Sequence, residues 1–86
     1  MRFQGALIKE QDVTFGIVVV KPHVLHNDAE AESMRRFGTQ VFGLVPIILM
    51  AQNPRGVPTY SGRRDIVKLL ARASLRAIPW REYTVS

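Results

Sequence analysis

The chain contains no cysteine among its 86 residues. This absence excludes disulfide bonds, thiolate metal sites and thiol catalysis at once. A chain of this length has room for one modest core, so residues 1–86 are predicted to fold as a single domain. Because no disulfide can reinforce so small a core, self-association is the most accessible way to stabilise it.

Long apolar runs are also missing. The longest run, Leu44 to Ala51, contains Pro46 and is far shorter than the roughly 18–20 residues that cross a bilayer. The first residues, Met1 to Gly5, lack the apolar centre of a secretory signal, and charged residues follow from Lys9. We therefore expect no membrane span and a cytoplasmic location.

Recognisable catalytic motifs are absent as well. The serines lie in no nucleophile elbow, no glycine-rich phosphate loop follows a strand, and the carboxylates fall at predicted helix starts or turns. His23 and His26 form a His-x-x-His pair, but no third ligand is evident, and hydrogen bonding at a strand end explains the pair better than a metal site. We expect no enzyme, no metal and no cofactor.

What the sequence does contain is a pattern of short apolar strands alternating with helices. The β-branched run Ile17 to Val20 is typical of a strand covered on both faces. A first strand, Arg2 to Lys9, is predicted to lie at an edge and to form an antiparallel hairpin with that run. Asn27 is a good N-cap for a helix that Gly43 ends, although Gly38 favours a bend or an earlier end.

The second half of the chain repeats this alternation. Val45 to Met50 is typical of a buried strand, and Val57 to Tyr60 of a short edge strand, because it contains Pro58. A second helix is predicted from about Arg63 to Ser74, and residues 77–86 form a tail that docks on the domain.

The fold class is therefore α/β (α+β), in the order β-β-α-β-β-α, with a mixed sheet and both helices on one face. The other face of so apolar a sheet then needs cover. A homodimer that packs sheet against sheet would supply it, and coverage by the tail and long side chains is the alternative.

Three features carry a resemblance to a known family: the strand 45–50, the turn Asn53-Pro54-Arg55-Gly56, and Gly62 ahead of the last helix. With them, residues 13–75 resemble the C-terminal half of a thioredoxin-like domain. In that family a cis-proline opens the equivalent strand, and Pro46 stands at the matching position. The Cys-x-x-Cys helix of the family has no counterpart here, so the resemblance implies the fold alone and no redox activity.

Charge is distributed unevenly along the chain. Residues 1–43 carry five basic and five acidic side chains, whereas residues 44–86 carry seven and two, so the net charge of +5 belongs to the second half. Four-residue spacing in the second helix predicts a basic ridge along one side, formed by Arg64, Lys68, Arg72 and Arg76.

The basic ridge has two interpretations. It binds phosphates with help from Arg63 and the hydroxyls of Tyr60 and Ser61, or it is a solvated helix face whose arginines meet carboxylates elsewhere. No helix-turn-helix, zinc-finger or aromatic RNA-binding signature accompanies it, so binding of nucleic acid or another polyanion is predicted to tolerate many sequences.

The tail supplies the candidate protein contacts. Trp80 and Tyr83 belong to residue types that are enriched at interface hot spots, and a tail folded over the sheet is the alternative explanation. The overall expectation is a non-enzymatic interaction module that self-associates as a homodimer. The alternative is a nucleic-acid or anion binder that uses Arg63, Arg64, Lys68, Arg72 and Arg76.

Overall fold

The computed structural model describes residues 1–85 and shows a small α+β domain built on one five-stranded mixed sheet. The strands are β1 (Arg2–Glu10), β2 (Val13–Val19), β3 (Ile47–Gln52), β4 (Pro58–Ser61) and β5 (Arg81–Thr84). The helices are α1 (Asp28–Phe42) and α2 (Arg64–Ala71), and short 3-10 turns occupy Pro22–His26 and Leu75–Ala77. The predicted fold class and the order of the first six elements are confirmed.

The order of strands across the sheet is β4-β3-β2-β1-β5. β2 and β3 are parallel because α1 crosses between them, and every other neighbouring pair is antiparallel. The predicted hairpin forms, and its two turn residues, Gln11 and Asp12, both have positive φ, which is the geometry of a type I′ turn. Pro58 lies on an edge strand, as predicted.

The two helices cover opposite faces of the sheet, so the prediction that both lie on one face is wrong. Side chains alternate along β3, and Ile47, Leu49 and Ala51 pack in the cluster beneath α1. Ile48 and Met50 pack in the other cluster, beneath α2. The sheet is therefore the middle of three layers, and within residues 1–85 neither face is left uncovered as the sheet-to-sheet homodimer required.

The tail docks by adding a fifth strand. β5 pairs with residues Arg2 to Gly5 of β1, so β1 is not the edge strand that its sequence predicted over that length. Beyond Gly5, the outer side of β1 has no strand partner among residues 1–85, which leaves Ala6 to Glu10 as an open edge. Ser86, the last residue of the predicted tail, lies outside the described residues.

Helix α1 begins and ends where its signals predicted. The Asn27 side chain accepts a hydrogen bond from the Glu30 amide, and Gly43 follows the helix with a φ of 87°. The helix does not end early at Gly38, because that glycine lies against the sheet. A Cβ there would come within 2.8 Å of Cγ2 of Ile47, so the residue allows α1 to pack closely.

Helix α2 is shorter than predicted. It ends at Ala71 instead of Ser74, and its N-cap, Arg63, makes no side-chain cap hydrogen bond. The described peptide bonds are all trans, including the one before Pro46, so the cis-proline implied by the thioredoxin-like resemblance is not found.

Candidate anion-contact surfaces

Three of the predicted ridge residues lie on the outward side of α2, two of them within the helix and Arg72 at its C-cap, where the backbone is still helical. Ile66 and Leu70 are buried against the sheet, and Arg64, Lys68 and Arg72 are exposed. At 100° per residue these three side chains fall within an arc of about 80° opposite the buried stripe. None of them has an acidic partner within 4.0 Å in the part of the chain that the structure describes. We call these three residues the α2 ridge.

Arg76 is not part of the α2 ridge. The helix has ended by Ala71, Ser74 has an extended backbone, and Arg76 lies in the following 3-10 turn. The prediction of a continuous four-residue spacing is therefore wrong at its last position. Arg76 remains exposed, but the helix does not hold it in line with Arg72.

Arg63 is neutralised by a neighbour. Its guanidinium donates two hydrogen bonds to the Asp65 carboxylate, from Nε at 2.8 Å and from a terminal nitrogen at 2.6 Å. The bidentate contact lowers the pKa of Asp65 from its ordinary value of 3.8 to about 2 and raises the pKa of Arg63. Because this pair is internally balanced, Arg63 adds little net charge to the ridge.

A groove of about 380 Å³ runs beside the α2 ridge, between α2 and the tip of the β1–β2 hairpin. Lys68 and Arg72 line it together with two carboxylates, those of Glu10 and Asp65. The groove is therefore of mixed charge.

The predicted hydroxyl contributions do not reach the ridge. Tyr60 pairs in register with Met50 and packs on the α2 side, but its hydroxyl oxygen is buried and has no hydrogen-bond partner among residues 1–85. Burial raises the pKa of Tyr60 above its ordinary value of 10.0. Ser61 pairs in register with Leu49 and therefore faces α1, away from the ridge.

The two candidate interface residues take part in packing within the domain. Trp80 packs against the α2-side cluster, and its indole nitrogen donates to the Leu75 carbonyl oxygen at 2.9 Å. Tyr83 lies between two phenylalanine rings, with ring centroids 5.5 Å from Phe3 and 4.9 Å from Phe42. Both side chains are half-buried, so the folded-tail explanation accounts for their position.

One polar contact was missed by the sequence analysis. Arg35, half-buried on α1, donates a hydrogen bond to Oγ of Ser61 on β4 at 3.0 Å. Arg35 makes no ion pair with Glu32, which precedes it by three residues on the same helix. The contact joins residues 26 positions apart, so only the placement of α1 over β3 and β4 reveals it.

The two histidines are not brought together as metal ligands. His23 Nε2 lies 3.2 Å from Oε2 of Glu30, which joins the 3-10 turn to the first turn of α1. Within residues 1–85, no three His, Cys, Asp or Glu side chains are placed to share a metal ion. The same part of the chain has no helix that is long and apolar enough to cross a membrane.

Comparison with known proteins found no match to any family model, to any curated protein or to any solved structure. The thioredoxin-like resemblance of residues 13–75 therefore stays a prediction about the fold.

Proposed function

We propose that this chain is a non-enzymatic binding module that contacts nucleic acid through the α2 ridge. The observation that carries the proposal is the arrangement of Arg64, Lys68 and Arg72, which share one exposed side of α2 and have no acidic partner in the described chain. Like charges at four-residue spacing destabilise a helix by about 0.2–0.5 kcal/mol per pair, so a bound polyanion stabilises α2. A cytoplasmic location is part of this proposal.

The geometry suits a phosphate backbone better than a single small anion. Arg72 lies eight positions after Arg64, which is about 12 Å along the helix axis, and successive phosphates on one DNA strand are about 3.4 Å apart along the duplex axis. The ridge thus spans several phosphates. Its three cations contact phosphates, and phosphate contacts carry no sequence information, so binding tolerates many sequences.

Salt dependence tests this mechanism. Three phosphate contacts give a slope of about −2.7 for log affinity against log salt concentration, so affinity falls about fortyfold between about 50 and 200 mM salt. The measurement is co-sedimentation of the protein with a short duplex and with a single strand of mixed sequence. Failure to co-sediment at the lower salt concentration would refute the proposal.

A matched pair of variants locates the contact. Replacing Arg64, Lys68 and Arg72 together by glutamine removes three charges from the ridge. Replacing Lys9, Lys21 and Arg55 together by glutamine removes the same charge from other elements. The ridge variant is expected to lose co-sedimentation and the control variant to keep most of it. Equal losses would show a diffuse effect of net charge and no ridge-specific contact.

Self-association is the second candidate function, and the open edge of β1 favours it. In a two-residue hairpin the residues that flank the turn, Glu10 and Val13, exchange backbone hydrogen bonds, so pairing alternates along β1. The backbone groups of Leu7 and Lys9 then point away from β2. Leu7 is 47% exposed there, and it is the only large apolar side chain in the described strands that is exposed. A second copy that pairs along this edge is the homodimer that the structure still allows.

A further inference from the structure

A second polar site lies on the other side of the sheet from the α2 ridge. A pocket of about 300 Å³ opens beyond the carboxyl ends of the parallel strands β2 and β3, on the face that α1 covers. Leu25 and Ala51 give it apolar walls, and His26, Thr59 and Ser61 place polar groups around it. In sheets with parallel strands, ligands bind in the crevice outside the carboxyl ends of the strands.

Arg35 lies beside this pocket and is joined to it through one of the lining residues. Its guanidinium donates to Oγ of Ser61, a lining residue, at 3.0 Å. A guanidinium has five N–H donors, and this bond to a neutral hydroxyl is the one hydrogen bond that the Arg35 side chain makes in residues 1–85. No carboxylate of the same residues lies within ion-pair distance of it. A half-buried guanidinium held by a neutral partner has donors left for an anion.

Some polar groups that line the pocket already make hydrogen bonds within the protein, and others do not. Oδ1 of Asn53 accepts hydrogen bonds from the Arg55 and Val57 amides, and the Gln52 amide donates to the Gly56 carbonyl, so these two side chains fix the turn after β3. Thr59 and Ser61 lie on the same face of β4, two residues apart. Their hydroxyls, the His26 imidazole and the amide nitrogen of the Asn53 side chain, which donates to no group among residues 1–85, are still able to donate into the pocket.

From this arrangement we propose that the pocket binds a phosphate group, with Arg35 as its anchoring charge. A tetrahedral phosphate presents several acceptor oxygens in different directions, so one group accepts from the guanidinium, from both hydroxyls and from the imidazole together. A planar carboxylate satisfies fewer of them. The site goes beyond the proposed nucleic-acid contact, because it lies on the α1 face and the ridge lies on α2.

The test is an NMR titration of ¹⁵N-labelled protein with inorganic phosphate, with sodium chloride keeping ionic strength constant. Saturable shifts are expected at the amides of Thr59, Ser61 and Gly62. Arg35→Gln is expected to weaken binding about tenfold, because a charged hydrogen-bond partner is lost. Arg36→Gln, the adjacent exposed arginine of the same helix, is the matched control and is expected to bind as the unaltered chain does.

Two further variants test the phosphate site independently of Arg35. Ser61→Ala leaves the charge in place and is expected to weaken binding severalfold, which tests the site if Arg35→Gln fails to fold. The triple glutamine variant of the α2 ridge is expected to bind phosphate normally, so failure of either proposal is visible without the other. Shifts that do not saturate, or equal affinity in the Arg35→Gln and Arg36→Gln variants, would overturn the phosphate site.

The source of the phosphate is settled by competition with a single-stranded dodecanucleotide that lacks terminal phosphates. Displacement of inorganic phosphate from the pocket would identify a nucleic-acid backbone as the ligand. Retention of inorganic phosphate would identify a small phosphomonoester. Either outcome supports the pocket as a phosphate site.

Discussion

The ring of Phe42 lies directly on the backbone of Gly16. A Cβ at Gly16 would come within 2.9 Å of Cγ of the ring, closer than real contacts of this kind. The same ring packs edge-on against Tyr83 at 4.9 Å between centroids. The end of α1 is thus joined to β2 in the centre of the sheet and to β5 at its edge.

Replacing Gly16 by alanine is expected to lower the free energy of unfolding by about 1–3 kcal/mol, because the new methyl group overpacks the site against a ring that cannot move freely. Urea denaturation followed by circular dichroism measures the change. The same substitution in a Phe42→Leu background is expected to cost less, since the narrower side chain leaves space. An equal cost in both backgrounds would mean that the ring is not what restricts Gly16.

Replacing Tyr60 by phenylalanine is expected to leave stability unchanged or to raise it by about 1 kcal/mol. The substitution removes a buried hydroxyl that has no partner among residues 1–85 and keeps the ring that packs beneath α2. The measurement is again the midpoint and slope of urea unfolding. A loss above about 1 kcal/mol would show that the hydroxyl makes a hydrogen bond in solution.

The Arg63–Asp65 pair is expected to make the stability of the fold depend on pH in the acid range. Its hydrogen bonds hold the pKa of Asp65 at about 2 in the folded protein, below its ordinary value of 3.8. A carboxyl whose pKa is lower in the folded state stabilises the fold above the unfolded value, and this contribution disappears as pH falls from about 4 to about 2. NMR titration of the carboxyl carbon is expected to give that low pKa, and Arg63→Gln is expected to return it towards 3.8. An unaltered titration in the variant would assign the shift to another cause.

The sequence predicts the strands and the first helix well because their signals are local. The β-branched run at Ile17 indicated a strand covered on both faces, and Asn27 and Gly43 marked the ends of α1. The position of α2 was not predictable from such signals. Whether a helix returns over one face or the other depends on the direction of the connection before it, and the two residues between β4 and α2, Gly62 and Arg63, do not indicate a face.

The candidate sites also differ in whether local sequence signals could predict them. The α2 ridge could be predicted, because four-residue spacing within a helix brings Arg64 and Lys68 together without reference to the rest of the fold. The prediction for Arg76 was wrong because it extended the helical spacing well beyond the end of the helix at Ala71. The contact of Arg35 with Ser61 depends on which face of β4 meets α1, and the sequence offers no signal for that pairing.

Replacing Trp80 by alanine is expected to destabilise the domain by about 3 kcal/mol. The indole packs on the α2-side cluster and donates a hydrogen bond to the Leu75 carbonyl oxygen, so truncation leaves a cavity and removes that bond, although the carbonyl keeps its bond from the Ile78 amide. Thermal unfolding followed by circular dichroism tests this, because Trp80 is the single tryptophan and fluorescence is lost with it. Full stability with a changed oligomeric state would instead place Trp80 in an interface between copies.

Self-association through the open edge of β1 is expected to respond to salt in the opposite direction from nucleic-acid binding. Antiparallel pairing of two copies centred on Ile8 sets Leu7 of each copy opposite Lys9 of the other. It also brings both Lys9 side chains and both Arg81 side chains to the same side of the extended sheet, because Arg81 pairs with Gly5. Screening of this repulsion strengthens the dimer as salt rises.

Sedimentation equilibrium of the free protein at low and high salt measures this association. A dimer fraction that grows with salt and disappears in the Leu7→Lys variant is expected, since that variant adds two more charges to the paired edge. Leu44→Lys is the matched control, because Leu44 is also an exposed leucine but lies in the loop between α1 and β3. A monomer at every salt concentration would remove self-association as a function of this edge, and Lys9 would then act as a charge that prevents pairing there.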